Sequence, residues 1–98
     1  MLRFMKVKGE SLYPDYRNGD FVLVAKSPLP FNKVKPGDII VFNQPQYGMM
    51  IKRVSKVSSH GLDVRGSLVE SIDSRFFGLV PLKDVLGKVI WHIRQRGF

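Results

Sequence analysis

No cysteine occurs in the 98 residues. That absence excludes a disulfide framework and any cysteine metal site. Histidine is scarce as well: His60 falls in a turn-like segment and His92 near the C-terminal end, and neither stands in the carboxylate-bearing context of a catalytic triad string. Two separated histidines and loosely spaced aspartates supply too few ligands for a metal, so no metal and no cofactor is expected. No apolar run approaches the roughly 20 residues that cross a membrane. The opening Met1-Leu2-Arg3-Phe4-Met5-Lys6 carries charge without an apolar h-region. The expectation is a cytoplasmic protein with no membrane partner. Acid is also underweight, with 8 Asp and Glu against 16 Lys and Arg, a net charge of +8 and a pI near 10.1. The basic residues are scattered, with no run of five like charges and no recognition-helix pattern, so the charge reads as solubility and steering. Nucleic acid is not the expected partner.

Against those absences stands a regular punctuation of short apolar segments. Stretches rich in Val, Ile and Phe are interrupted by Gly, Pro, Asn or Asp roughly every eight to twelve residues, the pattern of an all-β domain. The predicted strands are Phe4 to Lys8, Phe21 to Lys26, Asp38 to Asn43, Met49 to Ser58, Leu62 to Arg65 and Leu86 to Arg94. Turns fall at Arg17-Asn18-Gly19-Asp20, Lys35-Pro36-Gly37-Asp38, Gln46-Tyr47-Gly48 and around Ser59-His60-Gly61. No window of about 12 residues shows a helical period. The expected architecture is a single domain over residues 1–98, a small coiled antiparallel sheet closing toward a partly open barrel, since closure removes exposed edges.

Two residues carry the chemical interest. Ser11 lies in Val7-Lys8-Gly9-Glu10-Ser11-Leu12-Tyr13-Pro14, and Lys52 lies within the apolar strand Met49-Met50-Ile51-Lys52-Arg53-Val54. A serine hydroxyl is a poor nucleophile near neutral pH unless a base takes its proton, and a lysine can be that base only where desolvation lowers its pKa. The alternative for Lys52 is a solvent-facing lysine on the polar side of a strand.

Around these residues the chain resembles the type I signal peptidases and their relatives, the serine–lysine endopeptidases. The resemblance rests on four blocks in the family's order. They are Gly9-Glu10-Ser11-Leu12-Tyr13-Pro14 with Gly19-Asp20-Phe21-Val22-Leu23-Val24, then Gly37-Asp38-Ile39-Ile40-Val41-Phe42, then Ile51-Lys52-Arg53-Val54, then Ser71-Ile72-Asp73-Ser74-Arg75-Phe76-Phe77-Gly78-Leu79-Val80-Pro81. The short length and the closing Val80 to Trp91 look most like the subgroup that matures nickel-type superoxide dismutase by trimming its propeptide. The resemblance implies Ser11 as nucleophile, Lys52 as general base, Ser71 as the residue orienting the lysine, and Asp73 with Arg75 as a brace, the alternative for that pair being a solvated turn. It implies a protein precursor as partner, the nickel superoxide dismutase proenzyme. Gly9 is expected to allow close approach of substrate. Leu12 and Tyr13, with Phe76 and Phe77, fit either a cleft for an extended peptide or a core.

The chain departs from the family pattern in three places. Leu12 stands where Met is usual, Asp15 where Thr often follows the proline, and Gly66-Ser67-Leu68 where relatives read Gly-Asp-Asn, one residue shorter before Ser71. Two other functions share parts of this pattern. One is the peptidase domain of a self-cleaving repressor, which the Asp73-Ser74-Arg75-Phe76-Phe77-Gly78 string fits less well. The other is a non-catalytic basic β-barrel that binds nucleic acid or an acidic protein.

Overall fold

A computed structural model describes residues 1–26, 33–67 and 71–94. Among them the strands are β1 (Leu2–Lys6), β2 (Phe21–Lys26), β3 (Ile39–Gln44), β4 (Gly48–Ser58), β5 (Gly61–Arg65) and β6 (Val85–Ile93). All pair antiparallel in one sheet of order β1-β2-β6-β3-β4-β5. The all-β reading holds. The sheet coils without closing into a barrel, so β1 and β5 remain its edges.

β3 explains where the core sits. Its Ile39-Ile40-Val41-Phe42 run is buried at every position, as in a strand covered on both faces. Ile40 and Phe42 join Val54, Leu62, Val64, Val80 and Val85 in one apolar cluster. Val41 points the other way, into a second cluster with Val7, Val22 and Val24. The other strands are half-buried and alternate. In β4 the side chains of Lys52 and Val54 enter the interior while Ser55 and Lys56 are exposed.

β6 bulges against both neighbours, where the register shifts opposite Leu23/Val24 and opposite Val41/Phe42. Such bulges increase local twist, which is how this sheet coils. Gly87 lies at that crossing, where a Cβ would stand 2.4 Å from the Ala25 carbonyl oxygen.

Two features depart from the sequence reading. β1 begins at Leu2 and ends at Lys6 rather than running from Phe4 to Lys8. Beyond Lys6 the chain still holds to β2's approach through Val7 N–H donating to Asp20 O at 2.7 Å and Gly19 N–H to Val7 O at 2.8 Å. A single helical turn, α1 (Ser74–Phe77), was not expected. Four residues are too few to show a period, and the turn forms because the Asp73 carboxylate caps it by accepting the Arg75 N–H. A 3-10 turn over Leu82–Asp84 leads into β6.

Candidate active site

The loop between β1 and β2 carries Ser11 and is fixed at its base. Gly9 N–H donates to Asn18 Oδ1 at 2.9 Å, Tyr13 N–H to Glu10 O at 3.0 Å and Tyr16 N–H to Leu12 O at 2.9 Å. Asp20, 1% exposed, accepts the Arg17 N–H and lies 2.7 Å from His92 Nε2 on β6. Tyr16 stacks on that imidazole at 4.1 Å between centroids. Leu12 is the loop's apolar peg, 1% exposed. These contacts leave Ser11 half-buried at the side of a groove of ≈ 830 Å³.

The groove has two strand edges for walls. β1 pairs with β2 on one side alone, and the Gly48–Lys52 half of β4 pairs with β3 alone, because β5 reaches only as far as Arg53. Between those unpaired backbones lies an apolar floor that includes Met5, Val22, Val41, Met50 and Ile51. Leu12 lies in the interior, while Tyr13 is exposed beneath the Arg17 guanidinium and Gly9 has an exposed backbone. The groove walls therefore come from other residues than the Gly9, Leu12 and Tyr13 expected at the cleft. Phe76 is exposed, and Phe77 packs on the core near Phe42.

Lys52 is 2% exposed and opposes Ile40 of β3. Burial lowers its pKa below the ordinary value for lysine; the Asp73 carboxylate pulls it back up, and the Arg75 guanidinium pushes it down. Asp73 is the fixed point of this neighbourhood. Fully buried, it accepts the N–H groups of Gly66 at 3.1 Å and Arg75 at 3.1 Å, and both its oxygens are gripped by the Arg75 side chain, at 2.9 and 2.8 Å. Burial alone would raise its pKa, yet the hydrogen bonds from Arg75 and Gly66 hold it at about 2. The Asp73–Arg75 pair is thus an ion pair with a buried carboxylate and not a solvated turn pair.

Gly66 joins the parts. Ser67 N–H donates to the carbonyl of Ser11 at 2.6 Å. A Cβ on Gly66 would stand 2.4 Å from Ser71 Oγ and 2.9 Å from the Ser11 carbonyl oxygen, so only glycine allows the two serine segments to approach this closely. Sequence reasoning met Gly66 only as the start of the departing Gly66-Ser67-Leu68 segment, not as a contact point; its signal was an isolated glycine directly after a strand. The structure therefore brings Ser11, Gly66, Ser71, Asp73 and Arg75 together, with Lys52 in electrostatic reach of the last two. Ser71 is buried and its Oγ has no hydrogen-bond partner. Among the described residues no hydrogen bond joins Lys52 to Ser11 or to Ser71. Most of the shortened segment before Ser71, residues 68–70, lies outside the described residues. No three His, Asp or Glu side chains among the described residues converge as a metal cage.

The family profile described as signal peptidase, peptidase S26, matches residues 1–66. The chain belongs to the signal peptidase family. It is a serine peptidase of the signal peptidase type. The matched span includes Ser11 and Lys52 and stops at Gly66, so Ser71, Asp73 and Arg75 enter the site through geometry. No curated protein matched the chain. Among the described residues no helix is long and apolar enough to cross a membrane.

Proposed function

We propose that this signal peptidase-family protein is an endopeptidase with a serine–lysine dyad, Ser11 as nucleophile and Lys52 as general base, which removes an N-terminal propeptide from a protein precursor in the cytoplasm. The subgroup resemblance makes the nickel superoxide dismutase proenzyme the candidate substrate. The observation that carries this reading is a lysine 2% exposed, with a lowered pKa, on the strand whose preceding residues share a groove with Ser11.

Substrate adds as an extended strand between β1 and the unpaired half of β4, which sets its carbonyl beside Ser11. Neutral Lys52 Nζ takes the Ser11 proton as Oγ bonds to the scissile carbonyl carbon. The resulting oxyanion is met by backbone donors, with the Ser11 N–H as first candidate; losing one such donor costs about 3 kcal/mol of transition-state stabilisation. The Lys52 ammonium then protonates the departing amine as the C–N bond breaks. Water, deprotonated by the same lysine, releases the acyl group and restores Ser11. In this reading Ser71 Oγ, buried and without a hydrogen-bond partner, steadies the lysine when substrate excludes water; its unpartnered state supports the role.

The test is incubation of the purified protein with the proenzyme and mass spectrometry of the new N-terminus. Wild type is expected to release one defined propeptide, and Ser11→Ala and Lys52→Ala none. Undiminished cleavage by either variant would overturn the dyad, and an intact precursor with wild type would overturn the substrate.

A further inference from the structure

We propose that the groove beside Ser11 selects extended peptides bearing carboxylates on one flank of the cleaved bond, with Lys6 and Lys8 as the residues that read them and Arg3 adding to the local field. This rests on the peptidase reading and adds a substrate class to it.

The charge distribution around the groove is one-sided. Arg3, Lys6 and Lys8 are exposed along the wall formed by β1 and its continuation, whereas among the described residues the groove lining contains no aspartate or glutamate. Among the described residues none of the three cations is in an ion pair. Three acids near the site are occupied elsewhere, Asp15 with Arg53, Asp73 with Arg75, and Asp20 with His92, while the exposed Glu10 beside Ser11 lies outside the groove lining. Unpaired cations beside an apolar trough focus a positive potential along it. The overall charge of +8 reinforces that local field.

Strand geometry turns the field into a pattern. Side chains of a peptide added to β1 alternate faces, so every second residue enters the apolar floor formed by Met5, Val41 and Ile51. The residues between them stand on the outer face with Phe4, Lys6 and Lys8, where the Lys6 ammonium already lies 5.9 Å from the Phe21 ring centroid; Arg3, on the face of Met5, adds to the field from the rim of the floor. A carboxylate there meets a cation kept close to the surface. The occupant that fits is an alternating apolar and acidic segment. A nucleic acid offers negative charge without side chains that alternate into the floor.

The experiment uses full-length Ser11→Ala protein, so that binding is read apart from cleavage. Two fluorescein-labelled peptides share apolar residues at alternate positions and differ between them, Asp and Glu in one, Asn and Gln in the other. By anisotropy at low salt the acidic peptide is expected to bind about tenfold more tightly, an advantage that shrinks as salt screens it. Added to Ser11→Ala, the neutral set Arg3→Gln, Lys6→Gln and Lys8→Gln should erase the preference, and the set R3E, K6E and K8E should invert it, with circular dichroism confirming the fold. Equal affinity for the two peptides, equal losses for both in the variants, or displacement of the acidic peptide by an oligonucleotide of matched charge would each overturn the proposal. Cleavage by Ser11-containing protein is scored separately. Acid preference without turnover counts against the peptidase reading alone, and turnover without acid preference against this proposal alone.

Discussion

Lys52 holds its place at a thermodynamic disadvantage that its proposed role requires. Because burial lowers its folded pKa, the folded state binds fewer protons there than the unfolded chain, and stability from this group rises with pH. Lys52→Met should therefore abolish cleavage and raise the unfolding free energy by on the order of 1 kcal/mol at pH 6, read by urea denaturation. In wild type the acid limb of kcat/KM should have its midpoint below the ordinary lysine value of 10.5, since only neutral Lys52 acts as base. Asp73 has the opposite sign. Its pKa falls from 3.8 to about 2, so its contribution is complete above pH 4 and is lost as pH falls toward 2. Asp73→Asn should cost about 2 kcal/mol near neutral pH and flatten the stability profile across that acid window. Ser11 and Lys52 could be picked out from the sequence because their neighbours form ordered blocks. The burial of Asp73 could not, since an Asp-Ser-Arg string reads equally well as a solvated turn until the fold closes over it.

At the scale of elements, the catalytic neighbourhood depends on one glycine between a strand and a one-turn helix. Gly66→Ala would drive a methyl into Ser71 Oγ and Cβ and toward the Ser11 carbonyl. The expected cost is about 1–3 kcal/mol of stability, together with a fall in kcat larger than the change in KM, measured by steady-state cleavage. Equal kinetics in the variant would show that the Ser11–Gly66–Ser71 contact does not position the nucleophile. The strands themselves were readable from β-branched runs and Gly-Asp turns, and β2 was expected over the same residues it occupies. The beginning of β1 and the turn α1 were not, because pairing with β2 and an N-cap hydrogen bond set them, and neither leaves a periodic trace in so few residues.

For the whole molecule, the decisive property is that the sheet stops short of closing. A strand order ending in β1 and β5, with half of β4 unpaired, could not be deduced from the list of strands; it follows from the bulges of β6 and from where β5 ends. A bound substrate strand supplies the hydrogen-bond partners that this opening lacks. Hydrogen exchange of Ser11→Ala protein with saturating peptide should therefore show new protection in residues 2–6 and 48–52, while the amides of β3, already paired on both sides, change little. Unchanged exchange in both wall segments would exclude strand addition as the binding mode.

The exposed edge of β1 has a cost outside catalysis. A backbone able to accept a substrate strand is equally able to accept the β1 of another copy, and the neighbouring Leu2 and Phe4, 57% and 60% exposed, would favour such stacking. Arg3 and Lys6 interrupt that apolar edge with like charges that repel a second copy of themselves. The residues proposed to select the substrate would then also be gatekeepers against aggregation, and neutralising them should shorten the time the protein stays in solution at high concentration and low salt, where their repulsion is unscreened.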